Sequence, residues 1–417
     1  MVKSKQDSTI HYQIAIVVIF LMSIGTVFVF SASANINQDI DLRRFYEYTA
    51  LRQLIFFPLA VLAMYAAASV DYRRFKPGKS WFGSPVTYIL VLAIMCLALV
   101  LSQRVSPFLP KWVPQVNQHY RWIKIPIGAF DMSFQPSELA KWTIIIFVAG
   151  YCSKYADTLK QFWKRFVPIC VIIGLVMALV IVEDFGTAAF IALLSFLIML
   201  VGGVSLKHIL PPIPVMAILF TVAIITSPTR VNRITAFLHP EEFTGGINYQ
   251  PSQSLIALGS GGLWGKGLGK GISKYGHLPE DTTDFIFAII GEELGFAGAA
   301  AVIIMFILFI WLGLLVVIRC DDIFGRLLAS GIVLAIGIQA VLNIGVVTVV
   351  LPTKGIPLPF VSAGGTSMLL SAAAIGMLMN IAKRSSIPLN GLSAELRKKP
   401  PGDNAVNEQI FEDDSDD

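Results

Sequence analysis

The chain has 417 residues, of which 55% are hydrophobic and 14% are charged, and its formal net charge is +5. Together with a mean hydropathy of +0.71, this composition excludes a soluble domain of any size, because the apolar residues come in runs too long for globular cores. The small excess of basic residues is typical of membrane-flanking loops and requires no nucleic-acid partner.

Apolar runs follow one another along the whole chain. A membrane-spanning helix needs about 18 or more predominantly apolar residues, and a few of the runs must borrow flanking residues to reach that length. The runs are 12–33, 53–70, 86–102, 139–152, 166–182, 188–204, 209–226, 297–318, 327–350 and 368–381. They predict an all-α polytopic membrane protein with about ten transmembrane helices.

Lys and Arg residues predict the orientation of these helices, because cytoplasmic loops carry an excess of basic residues. The basic loops fall on one side of a ten-span chain, and only the loop with Arg43, Arg44 and Arg52 runs against the rule. Both termini are therefore expected in the cytoplasm, with a large extracytoplasmic loop between spans seven and eight. The expected segments are a cytoplasmic N-terminal segment at 1–11, a ten-span domain at 12–383 with the large loop at 227–284, and a disordered cytoplasmic tail at 384–417.

The first polar outer segment joins spans three and four, contains Arg121 and ends in FQPSELAK at 134–141. Pro136 is suited to begin a helix, and Glu138 and Lys141 then share one helical face. Charges at this depth are costly unless they are paired or face a cavity. The two residues therefore indicate either a buried structural ion pair or the wall of a polar cavity.

The large loop is too long for an ordinary connection. It carries Arg233 and Gln253 and a glycine-rich stretch at 259–271 that includes Lys266 and Lys270. Exposed backbone N–H groups with lysines can cradle phosphate, although neither lysine is followed by the Ser or Thr of a Walker loop. The alternative is a flexible interfacial turn whose lysines meet anionic lipid headgroups.

Carboxylates close the large loop, and a shorter outer loop adds Glu183 and Asp184. If the chain is helical from Asp284 onward, Asp284 and Glu292 lie on one face. A carboxylate at a partly desolvated boundary has a raised pKa, which suits a general base. The alternative is that Asp284 caps the N-terminus of a helix.

Prolines and glycines interrupt the helical pattern at 351–367, around Lys354 and Ser362. Irregular backbone at membrane depth persists where it is buried or lines a cavity, and the alternative is an ordinary surface turn. All the polar features face the outside. They indicate either an enzyme whose substrate has an anionic head and a lipid tail, or a transporter with broken helices.

The four cysteines lie in predicted spans or on the cytoplasmic side and lack the spacing of a metal site, so neither a disulfide nor a cysteine metal site is expected. They are Cys96, Cys152, Cys170 and Cys320.

Six motifs occur in a recognisable order. They are RWI at 121–123, FQPSELAK at 134–141, DFGT at 184–187, LGSGGLWGKGLGKG at 258–271, LPEDTTDFIFAIIGEELG at 278–295 and NIGVVTVVLPTKGIPLPFVSAGG at 343–365. Together they resemble the SEDS family (shape, elongation, division and sporulation), the FtsW/RodA/SpoVE glycosyltransferases of bacterial cell-wall synthesis. The resemblance covers roughly residues 14–381 and implies a ten-span fold that polymerises lipid II into glycan strands with inversion at the anomeric carbon.

The resemblance also implies roles for particular residues. Asp284 would be the catalytic general base that takes the proton from the 4-hydroxyl of the acceptor sugar. Candidates for holding the diphosphate are Arg121, Lys141, Arg233, Lys266, Lys270 and Lys354, and supporting candidates are Glu138, Asp184, Gln253, Glu292 and Ser362. No cofactor is expected to be required, and a divalent cation, Mg²⁺ or Mn²⁺, is compatible with this chemistry.

The resemblance further implies undecaprenyl diphosphate as the leaving group, a class B penicillin-binding protein as transpeptidase partner, and other divisome proteins. The location would be the bacterial inner membrane, with an extracytoplasmic active site. The chain departs from the family pattern at Glu183, where Pro is common, at Thr282, where His is common, and at Ala363, where an aromatic residue is common.

Two short sequences bear on the branch of the family. TKG at 353–355 is typical of the division branch, FtsW, and IPLPF at 356–360 of the elongation branch, RodA; the division branch is favoured. The alternatives are an elongation-type polymerase, a non-enzymatic scaffold, and a lipid II flippase. The flippase is motivated by the charges at membrane depth, which are Glu138, Lys141, Glu292 and Glu293.

Overall fold

The computed structural model describes residues 9–33, 49–78, 80–106, 112–116, 119–127, 130–240, 246–275 and 278–385. Most of the expected N-terminal segment 1–11 and of the expected tail 384–417 lies outside these residues, as do Arg43 and Arg44. The predictions made for them therefore stay predictions.

Helices make up most of the described chain. In chain order they are α1 (Ile10–Ser33), α2 (Thr49–Ser69), α3 (Pro85–Val105), α4 (Pro136–Lys154), α5 (Val167–Ile181), α6 (Phe185–Val201), α7 (Leu206–Ile209), α8 (Pro212–Ile225), α9 (Pro228–Leu238), α10 (Tyr249–Ser260), α11 (Ile286–Arg319), α12 (Ile323–Val347) and α13 (Gly365–Ser385). The strands are β1 (Gln115–Val116), β2 (His119–Tyr120), β3 (Ile123–Ile127) and β4 (Phe130–Phe134).

Within the described residues, eight helical stretches are long and apolar enough to cross a membrane. They contain α1, α2, α3, α5, α8, α11, α12 and α13. The prediction of a polytopic, mostly helical membrane protein is confirmed. The remaining two predicted runs form α4, which carries Glu138 and Lys141, and α6, which has 17 residues. The number ten and the cytoplasmic termini stay predictions.

The outer segment before α4 contains strands, which the all-α prediction missed. β1 pairs with β2 and β3 pairs with β4, both antiparallel. In β3, Ile123, Ile125 and Ile127 alternate with Lys124 and Pro126, which is the period-two pattern of a strand. The proline is tolerated because a two-stranded sheet leaves an edge of each strand unpaired.

Small residues allow the interior helices to approach closely. α13 packs along α2, and Gly376 lies against the backbone of Met64 and the methyl group of Ala67, so that any side chain at 376 would collide with them. Gly25 of α1 lies equally close to the backbone of Phe360 and Val361. This use of glycine and alanine at helix contacts is typical of membrane proteins, where close backbone approach favours association.

α11 is broken inside its apparent length. Gly295 has φ 69° and ψ −165°, a conformation that L-residues avoid. Backbone N–H groups of the glycine-rich stretch bond to the carbonyl groups exposed at the break: Lys266 to Glu292 at 3.0 Å and Gly267 to Glu293 at 2.9 Å. The predicted span that began at 297 therefore has a short helix, Ile286 to Leu294, in front of it.

Candidate active site

Asp284 lies in a tight turn that leads from the large loop into α11. The N–H groups of Thr283 and Phe285 donate to the carbonyl oxygen of Glu280 at 3.1 and 3.2 Å, and Glu280 has a left-handed φ of 56°, which is uncommon outside glycine. The N-cap of α11 is Phe285. Interpreting Asp284 as the helix cap is therefore wrong, and Asp284 does not continue the helical face of Glu292.

A second irregular segment, 351–364, packs against this turn. Asn343 of α12 donates from Nδ2 to the carbonyl oxygens of Asp284 and Ile356, at 2.7 Å each. Gly355 lies beside the Asp284 carboxylate, since a Cβ at 355 would be 3.1 Å from Oδ2. One buried amide thus fixes the backbone of both segments, and glycine lets them touch.

Ser362 joins the same two segments. Its hydroxyl donates to the carbonyl oxygen of Thr283 and accepts the N–H of Leu358 at 2.8 Å. The N–H of Ala363 donates to the carbonyl oxygen of Thr282 at 2.9 Å. The departures from the family pattern at Thr282 and Ala363 are tolerated because this contact uses backbone atoms.

Desolvation dominates the electrostatics of the turn. It raises the pKa of the Asp284 carboxyl from 3.8 to about 7; the charge of Glu280 raises it further, whereas Arg233 and Arg121 oppose the shift. Desolvation also raises the pKa of Asp281, to about 6. Asp284 can therefore take up or release a proton near neutral pH, as a general base must.

Three of the predicted diphosphate ligands gather around Asp284 and Asp184. Desolvation lowers the pKa of Arg233, the charge of Arg121 lowers it further, and Asp284 raises it. Burial lowers the pKa of Lys354, and Asp184 opposes that shift. These mutual effects mean that the charges of Arg121, Arg233 and Lys354 lie within electrostatic range of the two carboxylates.

Sequence reasoning missed a fourth cation, Arg230. Its guanidinium carbon lies 4.9 Å from the ring centroid of Phe185, and the Nζ of Lys354 lies 5.9 Å from the same centroid. Arg230 donates to the carbonyl oxygens of Ala223 at 2.7 Å and Ile181 at 3.3 Å. It sits three residues before Arg233 on α9, and this helical spacing was the available signal.

Asp184 joins the DFGT and FQPSELAK motifs. As N-cap of α6 it accepts the N–H of Thr187 at 3.1 Å and its hydroxyl at 2.7 Å. Gln135 and Ser137 donate to the same carboxylate at 3.2 and 3.4 Å. Gly186 leaves room for the Lys354 side chain, since a Cβ there would be 2.6 Å from Cε.

Lys141 is not placed among these cations. Its ammonium bonds to Glu138 at 2.8 Å, and the two side chains are 2% and 9% exposed. It also donates to Gln339 at 3.2 Å, while Ser367 donates to Glu138 at 3.0 Å. This arrangement matches the buried structural ion pair that the sequence left open, and it leaves no access for a diphosphate.

The glycine-rich stretch and the residues just after it surround two carboxylates of α11, those of Glu292 and Glu293. Gly269 donates to Glu293 at 2.9 Å, and Ile272 and Ser273 donate to Glu292 at 3.0 and 3.1 Å. Lys266 forms an ion pair with Glu292 at 2.7 Å. Several N–H groups in and just after this stretch thus bind carboxylates of α11, which disfavours a phosphate cradle there. Contact of its lysines with lipid headgroups stays a prediction.

Lys274, which sequence reasoning did not single out, completes this cluster. It pairs with Glu293 at 2.9 Å, and both side chains are buried; Ser31 of α1 donates to the same carboxylate at 2.9 Å. Two buried carboxylates require compensating cations, and that requirement was the signal. Lys270 is exposed and Gln253 is half-buried on α10.

Metal-binding groups are sparse in the part of the chain that the structure describes. Over those residues no cluster of three or more His, Cys, Asp or Glu side chains is arranged to hold a metal ion. The four cysteines are free thiols. A role for Mg²⁺ or Mn²⁺ stays a prediction.

A family model matches almost the whole of the membrane region. It is the model of the FtsW/RodA/SpoVE cell cycle proteins, and it covers residues 12–387. The chain belongs to this family.

Two curated relatives show how similar this chain is to other members of the family. A probable peptidoglycan glycosyltransferase FtsW from Taylorella equigenitalis is 37% identical over 366 residues, covering 86% of this chain and 94% of the relative. Stage V sporulation protein E of Bacillus subtilis is 34% identical over 374 residues, covering 89% of this chain and 96% of the relative.

Solved structures share the fold of this family member. A chain from a peptidoglycan synthase complex that coordinates polymerization and crosslinking superposes with a TM-score of 0.69, at 21% identity, covering 90% of this chain and 98% of that one. The rod shape determining protein RodA of Thermus thermophilus gives a TM-score of 0.60, at 22% identity, covering 89% and 96%.

Proposed function

We propose that the chain is a division-type peptidoglycan glycosyltransferase that polymerises lipid II at the outer face of the cytoplasmic membrane. The names of relatives from several organisms support this activity. The observation that carries the proposal is the partly buried Asp284, whose carboxyl has a pKa of about 7 and lies within range of Arg121 and Arg233.

In the proposed reaction, Asp284 accepts the proton of the acceptor sugar's 4-hydroxyl. The oxygen attacks the anomeric carbon of the donor from the face opposite the diphosphate, so the new glycosidic bond forms as the carbon–oxygen bond to the diphosphate breaks. Undecaprenyl diphosphate leaves with the bonding electrons. Arg121, Arg233 and Lys354, with Arg230 beside them, would stabilise the charge that develops on it.

The proposed topology has ten spans and an extracytoplasmic active site. α4 and α6 supply the two spans beyond the eight stretches that meet the criteria of length and hydropathy. α4 is 19 residues long, which suffices for a bilayer core of ~30 Å with flanking residues. Its charges are compatible with a span because Glu138 and Lys141 neutralise each other.

The proposed partners follow from the chemistry and from the solved complex. Lipid II is the substrate and undecaprenyl diphosphate the product. A class B penicillin-binding protein would cross-link the new strands, in keeping with the complex that couples polymerization and crosslinking. Other divisome proteins and a stimulating divalent cation belong to the same proposal.

The observation that motivated a flippase no longer favours it. Lys141 pairs with Glu138, and the carboxylates of Glu292 and Glu293 pair with Lys266 and Lys274. Charges that are saturated by fixed partners offer no polar path through the membrane for a headgroup.

A polymerisation assay with purified protein and lipid II tests the proposal. Asp284→Ala should lower the rate of glycan synthesis by roughly 10²–10⁴-fold, the usual contribution of a general base. Asp281→Asn is the matched control, because it removes a carboxyl from the same turn and should retain most of the activity. A normal rate in Asp284→Ala, with folding verified by thermal unfolding, would overturn the assignment.

A further inference from the structure

Glu183 is a buried carboxylate to which the proposed reaction gives no task. It is 5% exposed and immediately precedes the DFGT motif. Arg104, at the end of α3, donates to its Oε1 at 3.0 Å. His119 lies 3.1 Å from Oε2, and the N–H of Tyr120 donates to that oxygen at 3.0 Å. One side chain thus gathers partners from α3 and from β2.

The backbone of the same residue holds a proposed diphosphate ligand. The Nε of Arg121 donates to the carbonyl oxygen of Glu183 at 2.7 Å. Arg121 follows Tyr120 directly, so the side-chain and backbone contacts of Glu183 fasten three consecutive residues, 119–121, to the start of α6. The remaining guanidinium nitrogens of Arg121 are thereby oriented by a fixed backbone contact.

The electrostatic effect of Arg121 depends on that orientation. Its charge acts on the carboxyl of Asp284 and on Arg233 and Arg230. A flexible arginine loses much of its effect on a developing charge, because catalysis by fixed charges requires that they be positioned before the reaction begins. A buried carboxylate that accepts several hydrogen bonds holds its partners rigidly, and so it can provide this positioning.

We propose that Glu183 is a positioning residue: by fastening residues 119–121 to the N-terminus of α6, it holds the guanidinium of Arg121 at the diphosphate site. This proposal rests on the proposed polymerase function. It assigns a task to the residue that stands where the family commonly has proline, and it gives the contact between the outer segment and DFGT a purpose beyond stability.

Kinetics of lipid II polymerisation by the purified full-length protein test the proposal. Glu183→Ala should lower kcat/KM about tenfold, the loss expected when charge-assisted bonds no longer fix their partner. The loss should divide between KM and kcat as it does in Arg121→Ala. Glu183→Gln should fall between wild type and Glu183→Ala, because the amide oxygen still accepts the Tyr120 N–H. Asp157→Asn, a carboxyl on the exposed turn after α4, is the control for charge removal.

A double-mutant comparison separates positioning from a general loss of fold. In an Arg121→Ala background, Glu183→Ala should lower kcat/KM by less than about twofold, because residues that act through one another are not additive. Losses that multiply, or a Glu183→Ala rate equal to wild type, would overturn the proposal.

Hydrogen exchange supplies a readout that needs no substrate. Exchange in peptides covering 119–121 should speed up about tenfold in Glu183→Gln and Glu183→Ala while α12 peptides stay unchanged. Unchanged exchange at 119–121 would overturn the positioning role even if activity falls. If wild type makes no glycan polymer, the proposed function fails separately, and the exchange result still decides whether Glu183 fastens this segment.

Discussion

The raised pKa of Asp284 predicts how polymerisation depends on pH. Desolvation raises the pKa of this carboxyl from 3.8 to about 7. A general base works in its deprotonated form, so activity should rise as pH increases through this value. With a pKa of about 7, roughly 9% of the carboxyl is deprotonated at pH 6 and roughly 91% at pH 8, so kcat/KM should increase about tenfold.

Neighbouring charges should move the midpoint of this profile in opposite directions. Glu280 raises the pKa of Asp284, so Glu280→Gln should shift the midpoint to lower pH. Arg233 lowers the pKa of Asp284, so Arg233→Gln should shift the midpoint to higher pH while also weakening catalysis. Initial rates measured between about pH 5 and 9 at constant ionic strength would report both shifts, because salt screens these interactions.

Three results would refute this reasoning. The first is a flat profile from about pH 5 to 8, which an Asp with an unshifted pKa near 3.9 would give. The second is a shift of the two variants in the same direction. The third concerns Asp281, whose carboxyl has a pKa of about 6. A wild-type midpoint near pH 6 that is lost in Asp281→Asn would show that Asp281, and not Asp284, is the general base.

Two further predictions concern the frame around the site. Lys141→Met should destabilise the protein by about 3–5 kcal/mol because it leaves the buried Glu138 without its cation, and the double variant with Glu138→Leu should recover most of the stability. Thermal unfolding measures the change in stability. Restored polymerisation by the double variant would show that Lys141 is not a diphosphate ligand. A stable but inactive double variant would instead support Lys141 as a diphosphate ligand. Gly376→Val should lower the unfolding temperature, because the added side chain would meet the backbone of Met64 and overpacking typically costs about 1–3 kcal/mol of stability. An unchanged unfolding temperature would contradict the close approach of α13 to α2.

The apolar runs predicted the helices well because the bilayer sets a minimum length for a span. The strands at 123–134 were missed because this segment was treated as a loop between two spans, although the alternating isoleucines of β3 were visible. Hydropathy placed the start of the α11 span at 297 but did not reveal the short helical segment 286–294 before the break at Gly295. The break follows from pairing between the glycine-rich stretch and α11, which is a tertiary contact.

The candidate site was predicted unevenly, for a physical reason. The family motifs identified Asp284, Arg121, Arg233 and Lys354. The structure places Arg121 and Arg233 within electrostatic range of Asp284, and Lys354 within range of Asp184. Lys266, a candidate diphosphate ligand, has a carboxylate partner in the structure, and its role stays a prediction. A sequence shows which charges exist but not which of them already have partners.

The contacts of α1 and α2 have a consequence for how the protein is made. Ser31 of α1 bonds to Glu293, which is 262 residues later in the chain, and Gly25 rests on the segment around Val361. α2 packs along α13, whose tight contact at Gly376 involves the last helix of the bundle. α1 and α2 therefore cannot complete these contacts until α13 has been synthesised and inserted. Without α13, the face of α2 that packs against it would be open to lipid, so the bundle closes only when α13 is in place.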